Sequence, residues 1–484
     1  MSHIKCPVRD SALKFPEETA LYEDEKLISY SELDRKIDSV IHSLSAKGVR
    51  AEMRIGIVSE NSSGYIILFF ALLRMGCIIV PLNFRFANNK LNSIIEGMRV
   101  DIVVSGISEK NLVFPGKRVL TFNELFTGSR PVESFSDTSA IKGKMIVLTS
   151  GSTGEPKGVL LSAENNYYSA LGANMNIDLI PGDKWYLILP IFHVGGIAIL
   201  FRAFLAGASV VFPSGKGERI AKDLISRGIT HVSMVNAQLW DFLSSCEKED
   251  HEVPGNLKTV LVGGSAVPES TIKKCLAMGV PVYKTYGLSE MSSQVTTTVA
   301  AVDTDTLSTS GYLLKYRELS IGPGSEVLVK GKTLFEGYIL NGEFSPVETD
   351  RGGWFHTGDR GYLTISGELI LTGRSDNMFI SGGENIFPEE IENELMKIDQ
   401  IVEAVVVPVD NRKFGKRPVA FIVSGADDIS RERIVAELRK NLPGFKIPDN
   451  FYRIDEVGPG LLKRSREELK DRIRCGTDLF ELSD

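Results

Sequence analysis

Regular alternation of helix and strand signals is the feature of this 484-residue sequence that most limits its possible folds. One unit runs from Ser31, a candidate helix cap, through an amphipathic helix to Gly48 and the apolar strand 54–58. A second unit spans residues 220–235. Such alternation is typical of parallel sheets covered by helices. Because it continues to about residue 370, beyond what one core holds, we predict an α/β domain of at least two layered, mostly parallel sheets.

The pattern changes in the last third of the chain. Short strands separated by glycine-rich turns occupy residues 337–371. The segment 373–377 indicates a boundary, and the chain beyond it carries strand signals and a helix signal capped by Ser430. We therefore predict two domains, a large one over residues 1–375 and a small α+β domain over residues 376–484.

Composition narrows the class of protein. A net charge of −7, without a Lys/Arg-rich run, argues against nucleic acid as a partner. The five cysteines form no CxxC pair, which predicts reduced thiols, a cytoplasmic location and no zinc site. The N-terminus lacks the apolar core of a signal peptide. The longest apolar stretch, 65–82, contains Arg74, Gly76 and Pro81, so we predict a buried helix and strand rather than a membrane span.

A loop rich in glycine and hydroxyl side chains, residues 149–157, follows the apolar run 145–148. Glycines let backbone N–H groups approach an anion, hydroxyls donate to its oxygens, and Lys157 adds positive charge. The segment is not a Walker A loop, because GxxxxGK[ST] is absent, and no GxGxxG occurs. A flexible surface linker is the alternative, but another apolar run, 159–161, follows directly. We predict that this loop binds phosphates.

Six further motifs follow this loop along the chain. They are Pro190-Ile191-Phe192-His193, Gly263-Gly264-Ser265-Ala266, Tyr286-Gly287-Leu288-Ser289-Glu290, Trp354-Phe355-His356-Thr357-Gly358-Asp359, Gly373-Arg374-Ser375-Asp376 and Ser381-Gly382-Gly383-Glu384-Asn385. In order and content the set resembles the acyl-adenylate-forming enzymes: acyl-CoA ligases, firefly luciferase and the adenylation domains of peptide synthetases. The resemblance implies an enzyme that adenylates a carboxylic acid with ATP and Mg²⁺ and then uses CoA. It also implies a mobile C-terminal domain hinged at Asp376.

The resemblance implies roles toward the phosphates and the metal. The loop side chains expected to hold the β- and γ-phosphates are Thr149, Ser150, Ser152, Thr153 and Lys157. On the turn around Gly287, Tyr286 would stack on adenine, Ser289 would bind the α-phosphate and Glu290 would bind Mg²⁺. The family more often has threonine at the position of Ser289, and serine keeps the hydroxyl donor.

The nucleoside is expected to contact two other motifs. By resemblance, the backbone of Gly264, Ser265 and Ala266 would flank adenine. Asp359, supported by Arg374, would bind the ribose, since one carboxylate can accept from both hydroxyls. Outside its motif, an exposed turn acid would be the simpler interpretation of Asp359.

Three further residues are implied in catalysis. His193 would lie beside the acid substrate as a gate or polariser; a packed residue at a helix start is the alternative. Lys463 matches the lysine of the C-terminal motif and would contact the forming acyl-adenylate. Arg466 fits that motif, but Leu462 replaces its usual glycine, and a surface lysine is the alternative. After a domain rotation, Gly383 would lie beside the tunnel for the CoA pantetheine.

Fewer residues indicate which carboxylic acid is the substrate. His193 follows Phe192 where the peptide-synthetase type carries aspartate, which disfavours an amino acid. Within the CoA ligases the chain is most similar to the o-succinylbenzoate–CoA ligases of menaquinone biosynthesis, around residues 190–196, 236–240 and 373–392. The remaining alternatives are a general aryl- or fatty-acyl-CoA ligase and a non-catalytic nucleotide-binding protein.

Arg202 stands where those ligases place a basic residue and could pair with the second carboxylate of a dicarboxylic acid. Nine residues along a continuous helix would put it opposite His193. This role therefore requires a helix that begins after His193 or packs end-on, and a surface arginine is the alternative.

Overall fold

The structure of the protein is a computed structural model. It describes residues 4–107, 113–127, 140–150, 156–214, 220–249, 251–264, 267, 269–300, 303–424, 429–454, 466–476 and 480–482. The α-helices of these residues are α1 Pro7–Lys14, α2 Tyr30–Ala46, α3 Ser63–Met75, α4 Asn88–Gly97, α5 Phe122–Phe126, α6 Ala163–Asn174, α7 Val194–Ala206, α8 Ile220–Ser226, α9 Asn236–Lys248, α10 Glu269–Ala277, α11 Thr304–Ser308, α12 Pro388–Leu395, α13 Arg431–Leu438 and α14 Arg466–Cys475.

The strands of the first half are β1 Ile4–Lys5, β2 Thr19–Glu23, β3 Lys26–Ser29, β4 Arg54–Val58, β5 Ile78–Leu82, β6 Ile102–Ser105, β7 Arg118–Thr121, β8 Ala140–Ile141, β9 Lys144–Ser150, β10 Pro156–Ser162, β11 Lys184–Tyr186, β12 Ser209–Val211, β13 His231–Met234 and β14 Thr259–Val262. Those of the second half are β15 Val282–Leu288, β16 Ser293–Thr297, β17 Tyr312–Leu313, β18 Arg317–Ile321, β19 Glu326–Gly331, β20 Gly337–Leu340, β21 Glu343–Pro346, β22 Phe355–Leu363, β23 Leu369–Arg374, β24 Phe379–Ser381, β25 Glu384–Ile386, β26 Ile401–Asn411, β27 Gly415–Ser424, β28 Asn450–Arg453 and β29 Phe480–Glu481.

Two large sheets form the N-terminal part of the described chain. The first has the order β21-β20-β10-β9-β5-β4-β6-β7, and the second has the order β17-β16-β15-β14-β13-β11-β12-β2-β3. The strands from β9 to β7 are parallel, as are those from β15 to β2. Antiparallel strands extend both sheets. The prediction of layered, mostly parallel sheets with helices is confirmed.

The helices α3 and α7 are packed between these two sheets. The rings of Phe70 and Phe204 lie 5.5 Å apart where the helices meet. One hydrophobic core joins them to Ile79 of the first sheet and to Trp185 and Val210 of the second. A helix that is apolar on all sides is stable only when it is buried in this way.

A third, antiparallel sheet has the order β18-β19-β22-β23. Its Val327 and Val329 share a core with Tyr286 and Met291 at the end of the second sheet. The third sheet therefore brings strand β22 against the turn that follows β15.

The C-terminal part contains the hairpin β24–β25 and the sheet β26-β27-β28-β29, covered by α12, α13 and α14. Ser430 caps α13 as predicted, with its Oγ accepting from the backbone N–H of Arg433 at 3.3 Å. This confirms a small α+β unit. The boundary between residues 375 and 376 stays a prediction.

Local sequence signals were accurate for several elements and wrong for one cap. The strand over residues 54–58 is confirmed, and the apolar stretch 65–82 forms α3 and β5. The predicted helix cap Ser31 is wrong, because α2 begins at Tyr30 and Ser29 accepts from the N–H of Glu32. Among the described residues no helix is long and apolar enough to cross a membrane.

A buried group of four charges connects the first three helices. Arg9 of α1 and Arg74 of α3 each pair with both Asp34 and Asp38 of α2, at distances of 2.5–2.8 Å. All four residues are at most 6% exposed. Because each charge has two opposite partners, the group offsets much of the desolvation cost that a single buried ion would carry.

The C-terminal sheet also contacts α9 of the N-terminal part. Trp240 packs against the core of β26, and the Asn236 Nδ2 donates to the carbonyl of Val402 at 3.5 Å. Beside this contact Glu403 is 6% exposed. Burial, together with the nearby carboxylate of Asp241, raises the pKa of Glu403 to about 7.

We predict that Glu403→Gln stabilises the protein above about pH 7 more than at about pH 5. Folded Glu403 holds its proton up to about pH 7, whereas an unfolded glutamate, with a pKa of about 4.3, loses its proton at lower pH. The folded state therefore binds more protons in this interval, and wild-type stability falls as pH rises through it. Thermal unfolding midpoints of both proteins at the two pH values measure the effect. The control is the exposed Glu432→Gln, and an equal pH response of both variants would contradict the prediction.

Candidate active site

The predicted phosphate loop connects β9 and β10. Thr149 and Lys157 are direct partners across this hairpin, and the Thr149 hydroxyl donates to the carbonyl of Lys157 at 3.3 Å. The Lys157 ammonium lies 3.2 Å from the centroid of the Tyr338 ring. Ser150 ends β9, while Ser152 and Thr153 lie outside the described residues.

The turn after β15 carries the residues expected to contact adenine, α-phosphate and metal. It consists of Gly287 at the end of β15 and a 3₁₀ turn over Ser289–Met291. A Cβ at Gly287 would lie 2.0 Å from the carbonyl oxygen of Ser293. Only glycine permits this approach, and Ser293 itself has a φ of 103°. The turn is therefore held in one conformation by the backbone.

Tyr286, Asp359 and Arg374 form one connected group. The Tyr286 hydroxyl donates to Asp359 Oδ2 at 2.6 Å, and Arg374 Nη1 donates to Asp359 Oδ1 at 2.8 Å. Burial raises the pKa of Asp359, against the opposing effects of Arg374 and the Tyr286 hydroxyl. Arg374 also pairs with Asp376 at 2.9 Å. The structure thus brings together three residues predicted from separate motifs, and Asp359 is buried rather than an exposed turn acid.

Gly264 lies at the same edge of the second sheet as Tyr286. It follows β14, which is parallel to β15, and it has a φ of 89°. A Cβ on the preceding Gly263 would lie 2.7 Å from the Thr285 side chain, so the two chain segments are closely packed. Ser265 and Ala266 lie outside the described residues, and the role of all three toward adenine stays a prediction.

Glu290 has a partner that the sequence did not indicate. The Tyr338 hydroxyl donates to Glu290 Oε1 at 2.9 Å. Tyr338 lies on β20, opposite Val159 of β10, the strand that also carries Lys157. Tyr338 and Glu290 are far apart in sequence and meet only in the folded protein, so no local motif could have revealed their contact.

His193 occupies the position directly before α7, which begins at Val194. Its ring lies 4.7 Å from that of Phe192. Because the helix begins after His193, the condition for Arg202 and His193 to contact the same acid substrate is met.

Arg202 is buried at 1% exposure, so the alternative of a surface arginine is wrong. Its Nη2 donates to the Ser293 Oγ at 3.3 Å, and its guanidinium lies 5.7 Å from the Trp185 ring. Its Nε has no acceptor, and none of the described carboxylates pairs with it. Burial lowers the pKa of Arg202 to about 9. An unpaired buried cation of this kind is suited to an anionic ligand.

Of the two C-terminal candidates, the structure describes only Gly383. Gly383 is exposed in the turn of the β24–β25 hairpin, with a φ of 93° and open space where a Cβ would be. Lys463 lies outside the described residues. Arg466 begins α14 and pairs with Glu389 and Glu392, so in this structure it stabilises the C-terminal domain.

Comparison with known proteins defines the class to which this fold and site belong. Residues 8–339 match the family model "AMP-binding enzyme", and residues 390–459 match "AMP-binding enzyme C-terminal domain". The chain therefore belongs to the AMP-binding enzyme family.

Several similar proteins are 2-succinylbenzoate–CoA ligases. A 2-succinylbenzoate–CoA ligase of Bacillus cereus is 32% identical over 470 residues, which cover 95% of this chain and 96% of that protein. A 2-succinylbenzoate–CoA ligase of Bacillus anthracis is 31% identical over 96% of this chain and 98% of that protein. Bacillus subtilis o-succinylbenzoate CoA synthetase, solved with its acyl-adenylate intermediate OSB-AMP, has a TM-score of 0.85, 25% identity and full coverage of both chains. A variant of E. coli MenE with bound OSB-AMS has a TM-score of 0.82 and 28% identity, and the match covers 98% of this chain and 99% of that protein.

We predict that Arg202→Met stabilises the ligand-free protein by about 1–3 kcal/mol, the usual cost of a buried polar group without full partners. Methionine fills similar space without a charge. Urea unfolding of wild type and variant measures the change. Arg74→Met is the matched control, because that buried arginine has two carboxylate partners and its loss should cost about 3–5 kcal/mol. Equal destabilisation by both substitutions would contradict the unpaired state of Arg202.

Proposed function

We propose that the protein is an AMP-forming acid–CoA ligase whose acid is 2-succinylbenzoate, also called o-succinylbenzoate. Relatives of that name match nearly the whole length of the chain. The observation that carries the choice of acid is Arg202, a buried guanidinium without a carboxylate partner among the described residues. The substrate has two carboxylates, one for adenylation and one that would pair with Arg202. A fatty-acid pocket would leave this charge unpaired, at a large cost in free energy.

The arrangement of the acid site supports this assignment. Ser293, whose Oγ accepts from Arg202, begins β16, and β16 pairs with β15, the strand that leads into the turn bearing Glu290. Arg202 is thus bonded to the same hairpin that carries Glu290. An acid held there by one carboxylate would present the other toward the nucleotide, and His193 at the start of α7 would lie on its path.

The nucleotide site is proposed from the loop between β9 and β10 and from Asp359. Lys157 and Thr149 at the hairpin would hold the β- and γ-phosphates, as would Ser150, Ser152 and Thr153 of the same loop. Each oxygen of Asp359 accepts one hydrogen bond from protein, which leaves a lone pair on each for the ribose hydroxyls.

The residues present fit a magnesium ion shared with ATP. Mg²⁺ is usually bound by one or two carboxylates together with substrate phosphates, and Glu290 supplies one carboxylate oxygen, Oε2, without a hydrogen bond to any described residue. When bound, the ion supplies positive charge to the phosphate oxygens. Lys157 adds a second positive charge at the departing pyrophosphate.

The proposed reaction has two steps. In the first, a carboxylate oxygen of the acid bonds to the α-phosphorus of ATP, and the bond to the β-phosphate oxygen breaks, with its electron pair leaving on pyrophosphate. In the second, the CoA thiol gives up its proton to solvent, its sulfur bonds to the acyl carbon, and AMP leaves with the acyl–oxygen electron pair. Lys463 is proposed to act in the first step. Gly383 is proposed to act in the second, after the C-terminal domain rotates.

With ATP, Mg²⁺, CoA and 2-succinylbenzoate, we predict equal formation of AMP, pyrophosphate and the CoA thioester. Chromatographic quantification of all three products measures this. Benzoate and a long-chain fatty acid serve as comparison acids, and both should react far more slowly. Formation of ADP and phosphate would contradict the ligase proposal, whereas AMP formation with the fatty acid alone would contradict only the proposed substrate.

For Arg202→Met we predict that kcat/KM with 2-succinylbenzoate falls by about 10²–10³-fold, as is typical when one partner of a buried charge pair is removed. With benzoate it should barely change, because benzoate lacks the second carboxylate. Steady-state pyrophosphate release with each acid measures both values. An equal decrease with the two acids would mean that Arg202 does not contact the second carboxylate.

A further inference from the structure

Tyr338 lies between the two charged side chains proposed for phosphate and metal. Its ring centroid is 3.2 Å from the Lys157 ammonium, and its hydroxyl donates to Glu290 Oε1 at 2.9 Å. Among the described contacts no ion pair joins Lys157 directly to Glu290. A neutral phenol therefore contacts both a cation and an anion, two charges that attract each other when they meet.

The tyrosine is rigidly held. Strand β20 is paired on both sides, with β10 and with β21. The ring packs edge-on against Phe335 at 4.6 Å, and the backbone N–H of Phe335 donates to the carbonyl of Glu290 at 2.8 Å. The position of the hydroxyl relative to Glu290 is thus set by a sheet and by a backbone hydrogen bond.

The hydroxyl and the ring face of Tyr338 make separate contacts. The hydroxyl donates to Glu290 Oε1, and the other carboxylate oxygen has no hydrogen bond to any described residue. The ring face attracts the Lys157 ammonium without neutralising it.

We propose that Tyr338 is a positioning residue for adenylation: its hydroxyl orients Glu290 for the metal, and its ring keeps Lys157 apart from Glu290 and available to phosphate. This inference rests on the proposed function, which assigns Glu290 to Mg²⁺ and Lys157 to the phosphates. Two substitutions separate the two contacts. Tyr338→Phe removes the hydroxyl and keeps the ring, whereas Tyr338→Leu removes both.

The test measures pyrophosphate release in the first half-reaction, with Mg²⁺ varied at saturating ATP and with ATP varied at saturating Mg²⁺. For Tyr338→Phe we expect the Mg²⁺ concentration at half-maximal rate to rise about 10-fold, the effect of losing one hydrogen bond to a charged group, with KM for ATP little changed. For Tyr338→Leu we expect both values to rise, because Lys157 and Glu290 can then pair with each other. The exposed Tyr362→Phe is the matched control and should behave as wild type.

Thioester formation from a preformed acyl-adenylate reports on folding, since it uses neither ATP nor its metal. We expect Tyr338→Phe to retain it in full. Wild-type Mg²⁺ dependence of Tyr338→Phe would overturn the proposal, even if Tyr338→Leu failed to fold. Glu290→Gln distinguishes the two levels of inference. If Glu290→Gln shifts the Mg²⁺ dependence and Tyr338→Phe does not, only the role of Tyr338 is wrong; if neither shifts it, the assignment of Glu290 to the metal is wrong as well.

Discussion

The contact between Gly287 and the carbonyl of Ser293 is the constraint on which the site depends. A Cβ at position 287 would lie 2.0 Å from the carbonyl oxygen of Ser293, which excludes every side chain there. This approach closes the β15–β16 hairpin and fixes the turn that carries Glu290. The same hairpin places the Ser293 hydroxyl on Arg202. One backbone contact therefore constrains the proposed nucleotide side and the proposed acid side together.

Around this hairpin three sheets of the N-terminal part each contribute to the proposed site. The first sheet supplies Lys157 and Tyr338, the second supplies the turn with Tyr286 and Glu290, and the third supplies Asp359. Two short hydrogen bonds from phenols join them, from Tyr338 to Glu290 and from Tyr286 to Asp359. Side chains at a junction of rigid sheets lose little entropy when a ligand binds, which favours a preorganised site.

Much of the fold could be predicted because its signals are local. The apolar run after Gly48 marked β4, and the Ser430 cap marked α13. The misplaced cap of α2 has a physical cause, since Ser29 and Ser31 are both competent acceptors and only the backbone path decides between them.

The site was predictable where motifs carry it and not where the sheet assembles it. Asp359 and Tyr286 were found from separate motifs, but their hydrogen bond follows from the packing of the third sheet. Tyr338 was missed because only the packing of the first sheet against the turn after β15 places it beside Glu290. The burial of Arg202 likewise depends on α7 lying between two sheets, which no pattern within the helix reveals.

The four-charge group of α1, α2 and α3 has an evolutionary consequence. Loss of Arg9 or Arg74 would leave two buried aspartates short of one partner each, and loss of either aspartate would do the same to the arginines. No single substitution to a neutral residue leaves the remaining three balanced. Strong epistasis is therefore expected among these positions: in descendants of this sequence they should be retained together, or replaced together by an apolar set of similar volume.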